Sequence, residues 1–196
     1  MAVSAAFRSV DPFLYICLLH FGDMNLFKYS SFPIYEKCLR VVPNQSTVIA
    51  VAPTNIRSFS YGGAPYGSFK LKDCLSYVEK TESNIDDATF TCANLLKNPD
   101  MLNSSGHLLS GTSSGHVLLQ DLQTMESKPY MIFDVSRSVV RIETNEQVIA
   151  VRTADGAVRL LDAQLRSKKI IGSMQAHTDG LTDINLQGRS MHNLLT

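Results

Sequence analysis

The sequence predicts an all-β chain folded as an incomplete β-propeller of about four to five antiparallel four-stranded blades. Two observations predict this fold. Short apolar stretches recur with a period near 41 residues, which is the spacing of propeller blades rather than of helical hairpins. Turns that contain glycine separate these stretches, and the stretch after each turn alternates with the period of two that marks a β-strand.

The composition fits a folded domain and limits the classes of partner. The 196 residues carry 18 basic and 18 acidic side chains, so no single-sign field is available to hold a nucleic-acid backbone or a charged membrane surface. Hydrophobic residues make up 44% of the chain and charged residues 18%, which supplies a core and argues against disorder. We therefore expect protein partners, little direct contact with nucleic acid and no membrane association.

The N-terminal part predicts strands rather than a sorting signal. FLYICLL at 13–19 is a run of seven apolar residues, which is too short to cross a bilayer. No small-residue cleavage site follows it in HFGDMN, which disfavours a secretory signal. A buried strand in a cytosolic protein is the preferred interpretation, and residues 18–32 are expected to contain a further strand pair.

The cysteines indicate neither metal binding nor redox chemistry. Cys17, Cys38, Cys74 and Cys92 form no C-x-x-C pair and have no histidine at ligand spacing. We expect reduced, buried thiols, and neither a metal site nor a cofactor in this chain.

The middle of the chain follows the repeat less closely. Residues 48–59 predict a strand, a turn at 53–55 and a second strand. GGAPYG at 62–67 is a loop by composition, and EKTESNIDD at 79–87 is a polar connector. Residues 86–97 fit either an amphipathic helix or a blade strand, and the strand is favoured.

The repeat is clearest in the C-terminal half. GHVLLQD at 115–121 aligns with GAVRLLD at 156–162 at a spacing of 41 residues. The turns before these segments, SSG at 113–115 and ADG at 154–156, end in the glycine that a tight hairpin with positive φ requires. The clearest blade units are 107–145 and 147–188.

The length does not suffice for a closed ring. At a period of 41, the 196 residues hold a little under five repeats, and the sequence stops at NLLT, where an inner strand should begin. We therefore expect the chain to end inside a blade and to be a fragment of a larger propeller.

Several of these positions resemble WD repeats. ADGAVRLLD at 154–162 resembles the end of a repeat, with Leu161 in place of the tryptophan and Gln120 at the sister position. His177 in QAHTDGL resembles the histidine that opens a repeat, and in that family the histidine, a serine or threonine, the turn aspartate and the tryptophan bond one another. The resemblance implies structural roles for Gly115, Asp121, Asp155, Gly156, Asp162 and His177.

The sequence assigns no catalytic residue. GTSSG at 111–115 matches the G-x-S-x-G elbow of α/β-hydrolases with Ser113 as its nucleophile, but the elbow needs a helix after the serine and HVLL has the pattern of a strand. An ordinary hairpin turn is preferred, and a small serine hydrolase is the third alternative. His177 has no second group at a spacing that would make it a metal ligand or a base.

Three segments resemble the N-terminal WD-repeat region of the catalytic subunit of the poly(A)-specific nuclease deadenylation complex. They are KYSSF at 28–32, residues 107–122, and QAHTDGLTDINLQG at 175–188. Residues 18–196 can be laid along that propeller in order, whereas residues 1–17 match it poorly.

The resemblance implies a non-catalytic scaffold that supports poly(A)-tail shortening and mRNA decay in the cytoplasm, including processing bodies. The implied partners are the pseudokinase regulatory subunit of that complex and assemblies of poly(A)-binding protein. The family's nuclease domain, which would use divalent metal ions, has no matching motif in these residues. The alternative is a WD-repeat interaction module of an unrelated complex.

Overall fold

The structure is a computed structural model that describes residues 2–6, 13–20, 25–33, 36–44, 47–78, 87–96, 106–176, 185–186 and 194–195. In these residues the chain forms 17 strands, grouped in five antiparallel sheets, and one short helix. The expected all-β architecture is confirmed.

The sheets follow one another along the chain. Sheet I contains β1 (Ala2–Ala6), β2 (Phe13–His20) and β3 (Asn25–Pro33). Sheet II contains β4 (Arg40–Pro43), β5 (Thr47–Val51), β6 (Asn55–Ser60) and β7 (Pro65–Lys70), and the helix α1 (Leu71–Leu75) follows it. Sheet III contains β8 (Phe90–Leu95), β9 (His107–Thr112), β10 (His116–Asp121) and β11 (Met131–Asp134). Sheet IV contains β12 (Val139–Thr144), β13 (Val148–Thr153), β14 (Ala157–Asp162) and β15 (Ile170–Gln175), and sheet V pairs β16 (Asn185–Leu186) with β17 (Leu194–Leu195).

The first strand of each four-stranded sheet is the innermost. β8 contacts β4 and β5 on one side and β12 on the other, and β12 also contacts β16. Two side chains bond directly across the contact between β8 and β12: Asn94 Nδ2 donates to the carbonyl oxygen of Ile142 at 3.1 Å, and Thr144 Oγ1 donates to that of Leu95 at 2.9 Å. Each four-stranded sheet is therefore a blade that radiates outward, with its fourth strand at the rim.

Sheet III is buried on both faces because it lies between sheets II and IV. Successive residues of a strand point to opposite faces, so Leu108 joins the apolar cluster shared with sheet II while Leu109 joins the cluster shared with sheet IV. This explains why five of the six residues in β9 and five of the six in β10 are buried.

The sequence repeat and the sheets are out of phase by one strand. Unit 107–145 contains the last three strands of sheet III and the first strand of sheet IV. Unit 147–188 stands in the same relation to sheet IV and β16. One sequence unit therefore belongs to two neighbouring blades, which joins them covalently.

The middle region shows where composition misleads. Residues 62–67 were expected to be a loop, but β7 begins at Pro65. It pairs with β6, and Gly67 leaves room for Met125 of sheet III, because a Cβ at Gly67 would come within 2.6 Å of Met125 Cγ. The preferred strand within 86–97 is confirmed by β8. Helix α1 was not predicted.

Some expectations fall on residues that the structure does not describe. Most of the polar connector, 79–86, and His177 lie outside the described residues. Among the residues that are described, no helix has the length and apolar character needed to span a bilayer.

Candidate functional site

One edge of the blades carries the tight turns and the connections between blades. Each four-stranded sheet is a meander, so the turn from its second to its third strand and the connection to the next sheet leave at the same edge. We call this edge the turn face and its hairpin turns turn II (52–54), turn III (113–115) and turn IV (154–156). In each sheet the residue after the fourth strand donates its N–H to the last turn residue: Leu71 to Thr54 at 2.9 Å, Val135 to Gly115 at 2.9 Å, and Ala176 to Gly156 at 3.3 Å.

In sheets III and IV the connection that leads into the first strand also holds the turn. Ser113 N donates to the carbonyl oxygen of Thr89 at 2.8 Å, and Ala154 N donates to that of Ser138 at 2.9 Å. These two turns are thereby fixed between the connection that enters the blade and the connection that leaves it. The backbone conformation of these turns therefore helps to hold the connections that join one blade to the next.

Turn IV is stabilised by an ion pair. Asp155 accepts from Arg159, with Nη2 and Oδ2 2.9 Å apart, and its Oδ1 lies 2.6 Å from Thr153 Oγ1. Arg159 also bonds Thr153 Oγ1, which closes a three-residue network. The Arg159 hydrogen bonds and then the Thr153 hydroxyl hold the pKa of the Asp155 carboxyl well below its usual value. Asp155, predicted as a structural position, thus lies in such a network, although its partner is Arg159 rather than a histidine.

Turn III has the same backbone and a neutral network. Thr112 Oγ1 accepts from His116 N at 2.9 Å and lies 3.0 Å from Ser114 Oγ. Ser114 Oγ is in turn 3.1 Å from His116 Nδ1. Burial lowers the pKa of His116, against which the nearby Asp134 carboxylate acts in the opposite direction.

Turn II is held by a carboxylate from outside its own hairpin. Glu36 accepts from Thr54 N at 3.1 Å and from Thr54 Oγ1 at 2.6 Å, and it also bonds Asn55 Nδ2. Pro53 lies in this turn and has no N–H to donate. Glu36 therefore takes over part of the fixation that backbone groups supply in turns III and IV.

The two turn glycines meet the requirement that the sequence predicts. Gly115 has φ of 87° and Gly156 has φ of 78°, which is the left-handed region that side chains with a Cβ disfavour. A Cβ at Gly115 would also lie 2.8 Å from Arg137 N. The turn face therefore tolerates only glycine at position 115 without rearrangement.

Asp121 and Asp162 lie on the opposite face and have one local role. Asp121 Oδ1 accepts from Gln123 N at 2.7 Å, and Asp162 Oδ1 accepts from Gln164 N at 2.9 Å. This is the turn that an aspartate forms with the backbone two residues onward. The structure thus divides the predicted positions between the two faces instead of bringing them together, and the structural role proposed for His177 stays a prediction.

The positions that resemble the WD tryptophan are both buried but differ in chemistry. Leu161 lies in the apolar cluster between sheets III and IV. Gln120 is fully buried and polar: its Oε1 accepts from Ser110 Oγ at 2.9 Å, and its Nε2 lies 3.2 Å from Cys74 Sγ in α1. Gln120 thereby links sheet III to the connection that follows sheet II.

Sequence reasoning missed Thr112, Thr153, Arg159 and Glu36. The two threonines stand 41 residues apart, so the repeat contained a signal for them. Arg159 aligns with Leu118, and Glu36 lies outside the two aligned units, so neither could be found by comparing repeats.

The hydrolase alternative has no support in the geometry. Ser113 Oγ accepts the N–H of Thr89 at 2.8 Å, and a strand, β10, follows the turn where an elbow requires a helix. In the part of the chain that the structure describes, no cluster of three or more His, Cys, Asp or Glu side chains could hold a metal ion.

The described cysteines behave as buried thiols to different degrees. Burial raises the pKa of the Cys74 and Cys92 thiols to about 11, and it also raises that of Cys38, which is partly exposed. Raised pKa values make these thiols poor nucleophiles.

A cleft of about 780 Å³ opens at the turn-face end of sheet II. Its charged lining is mixed, with three cations and three carboxylates: Arg57, Lys70, Lys72, Glu36, Asp73 and Asp87. Glu36 is already engaged with Thr54 and Asn55. The exposed charges that line the cleft are therefore the lysines at 70 and 72 and the aspartates at 73 and 87. The arrangement suits contacts with a polar protein surface.

Comparison with solved structures identifies the class of fold. The WD40 domain of Neurospora crassa Pan2 superimposes with a TM-score of 0.62 and 16% sequence identity, covering 97% of this chain and 57% of that chain. A chain in the crystal structure of BBS1N in complex with ARL6DN gives a TM-score of 0.58 with 15% identity and covers 89% and 56%. A chain of the mitotic checkpoint complex gives 0.53 with 15% identity and covers 74% and 39%.

The chain therefore has the fold of a WD40 propeller, and its sheets are consistent with an incomplete one. It spans less than three fifths of the length of these structures. No protein-family profile and no curated protein sequence matches it.

Proposed function

We propose that this chain is a non-catalytic scaffold that holds protein partners in an assembly for poly(A)-tail shortening and mRNA decay. The observation that carries the proposal is the likeness to the Pan2 WD40 domain over 97% of the chain, together with the three resembling sequence segments. The proposed partners are the pseudokinase regulatory subunit and poly(A)-binding protein assembled on poly(A). The proposed location is the cytoplasm, including processing bodies.

The turn face is the proposed docking surface for these partners. Backbone bonds between connections fix its turns, so a partner meets a preorganised surface and loses little entropy on binding. Lys70 and Lys72 stand exposed at the cleft of sheet II, where they can meet acidic groups of a partner. The partner proteins, rather than this chain, bind the RNA in this proposal, because the chain has no net positive charge to neutralise phosphates.

Binding assays with purified proteins test the proposal. The 196-residue chain is titrated with the pseudokinase subunit, and separately with poly(A)-binding protein on poly(A), by biolayer interferometry. We expect saturable binding to at least one of them and none to naked poly(A). Absence of binding to both would refute the proposed function.

Matched charge reversals locate the surface. Lys72→Glu changes the turn face, whereas Lys128→Glu changes a lysine that is also exposed but lies on the opposite face. We expect Lys72→Glu to weaken partner binding about fivefold and Lys128→Glu to leave it unchanged. Equal effects of the two variants would assign binding to another surface while the scaffold role stands.

The second candidate is an interaction module of an unrelated complex. The likeness to chains in the BBS1N complex with ARL6DN and in the mitotic checkpoint complex favours it, because their TM-scores of 0.58 and 0.53 come close to that of the Pan2 domain. Proximity labelling of the tagged chain in cells distinguishes the two. Enrichment of deadenylation subunits supports the first proposal, and enrichment of a different complex without them supports the second.

A further inference from the structure

The outer strands carry an exposed apolar residue at the same position in three consecutive sheets. Tyr66, Tyr130 and Ile171 occupy equivalent points where the third and fourth strands pair. In each sheet this residue comes directly before the residue that lies opposite the fourth residue of the third strand. Their exposed fractions are 56%, 65% and 55%. Each of the three sheets therefore exposes a large apolar side chain at the rim of the propeller.

The three rim strands differ in how they are protected against pairing with another chain. β7 begins with Pro65 and ends with Lys70, and β11 has only four residues and ends with the exposed Asp134. Proline, charge and shortness are the usual means by which an edge strand avoids pairing. These features disfavour pairing of another chain at these two edges.

β15 has none of these three protections. It has a β-bulge at Ile171, but β7 has the same irregularity at Tyr66, so a bulge does not distinguish the two strands. β15 has six residues, IIGSMQ, with no charge and no proline, and Ile170, Ile171 and Met174 are 39%, 55% and 42% exposed. Among the strands that the structure describes, β15 pairs only with β14. Its outer backbone edge and three large apolar side chains are therefore available together.

The connection that leads into β15 adds a basic end to this edge. Residues 163–169 contain Arg166, Lys168 and Lys169, all exposed. The corresponding connection of sheet II, 61–64, has no charged residue, and in that of sheet III, 122–130, one acidic and one basic residue cancel. The combination of an open apolar edge and a local positive charge is therefore particular to sheet IV among the three sheets.

We propose that the free edge of β15 binds an extended segment of a partner protein as an added antiparallel strand. The added strand spans about six residues and places apolar side chains beside Ile170, Ile171 and Met174. In the antiparallel direction its C-terminal end lies next to the basic connection, so the segment carries acidic residues there. This inference goes beyond the proposed function, because the rim edge is separate from the turn face and such a segment can belong to any assembly.

Defined peptides test the pairing. A peptide of alternating valine and threonine with three glutamates at its C-terminal end is compared with one that ends in three lysines and one with a central proline. Fluorescence anisotropy measures affinity for the 196-residue chain, and hydrogen–deuterium exchange locates the bound peptide. We expect the acidic peptide alone to bind and to slow amide exchange in 170–175 without slowing it in 65–70.

Two matched variants separate the apolar from the electrostatic contribution. Ile171→Lys should weaken the acidic peptide about tenfold, whereas Tyr66→Lys, at the equivalent position of sheet II, should leave it unchanged. Lys168→Glu combined with Lys169→Glu should invert the preference, so that the lysine-ended peptide binds about fivefold more tightly than the acidic one. Both residues of each comparison are exposed, so folding is not at stake.

Several results would overturn the proposal. These are no peptide-dependent protection of 170–175 at millimolar peptide, equal affinity for the acidic and basic ends, or equal loss with Ile171→Lys and Tyr66→Lys. Concentration-dependent dimers in sedimentation, with 170–175 protected without peptide, would assign the edge to a second copy of the chain instead. Failure of either kind is distinct from failure of the turn-face titrations, which use other partners and other residues.

Discussion

Turns III and IV have the same backbone and are stabilised by different side chains. In both, a threonine bonds the start of the third strand and a glycine follows with positive φ. The remaining positions hold Ser114 and His116 in one turn, and Asp155 and Arg159 in the other. The comparison teaches that threonine and glycine are the constant requirement, while a neutral or an ionic network can complete the turn.

The same two sheets differ again at the position that resembles the WD tryptophan. The buried polar groups of Gln120 are satisfied by hydrogen bonds to Ser110 and Cys74, whereas the buried side chain of Leu161 packs against apolar neighbours. A buried polar group needs its partners, and a buried apolar group needs a filled cavity. The two sheets should therefore fail in different ways when these positions are changed.

The largest effect is expected at the apolar position. Leu161→Ala should lower the free energy of unfolding by about 3–4 kcal/mol, because it leaves a cavity between sheets III and IV. Urea denaturation followed by circular dichroism measures the loss. Leu161→Met is the control and should cost less than about 1.5 kcal/mol; a similar cost for both variants would show that packing at this site is loose.

The next effect distinguishes a turn glycine from a strand glycine. Gly115→Ala should cost about 2–3 kcal/mol, because the new Cβ meets a positive φ and lies 2.8 Å from Arg137 N. In Gly172→Ala the new Cβ would be 3.4 Å from Leu160 Cδ1, so this control should be nearly neutral. Thermal unfolding measures the melting temperatures of both variants, and equal melting temperatures would contradict the strain argument.

The polar counterpart of Leu161 gives a smaller effect with a distinctive coupling. Gln120→Leu should cost about 1–2 kcal/mol, because Ser110 Oγ loses its buried acceptor. Adding Ser110→Ala should cost less in the Gln120→Leu background than in the unaltered chain. A double-mutant cycle measures this coupling, and strict additivity would show that the bond contributes nothing.

The smallest expected effects concern the pH dependence of stability, which should differ between turns III and IV. The lowered pKa of Asp155 means that the unfolded chain binds its proton first, so turn IV loses stability as the pH falls below about 5. His116 also has a lowered pKa, so turn III loses stability earlier, as the pH falls through the ordinary histidine value of 6.5.

Stability profiles from pH 8 to 3 for two variants test this separation. Asp155→Asn should flatten only the lower window and His116→Gln only the upper one. The loss of stability caused by Asp155→Asn should be less than about 1 kcal/mol, because the Asp155 side chain is a third exposed and solvent screens its ion pair. Loss of the upper window in Asp155→Asn would contradict the assignment.

Local sequence signals predicted the hairpins that a glycine defines, as at 113–115 and 154–156, because a positive φ restricts the residue more than any neighbour does. β7 was missed because an outer strand has little buried side-chain pattern, and its only fully buried residue is Phe69. Helix α1 was missed because one turn of helix gives a weak signal, although Leu71, Cys74 and Leu75 have the spacing of a helical face.

The sequence by itself determined the period of the blades, the alternation of their strands and the glycine turns, because each depends on residues close together in the chain. Only the tertiary structure decided the partners of Gln120 and Asn94 and the role of Glu36, because those contacts join segments up to 49 residues apart. It also decided which rim strand stays open. Exposure and unpaired edges arise from the arrangement of whole sheets, which no local pattern of residues records.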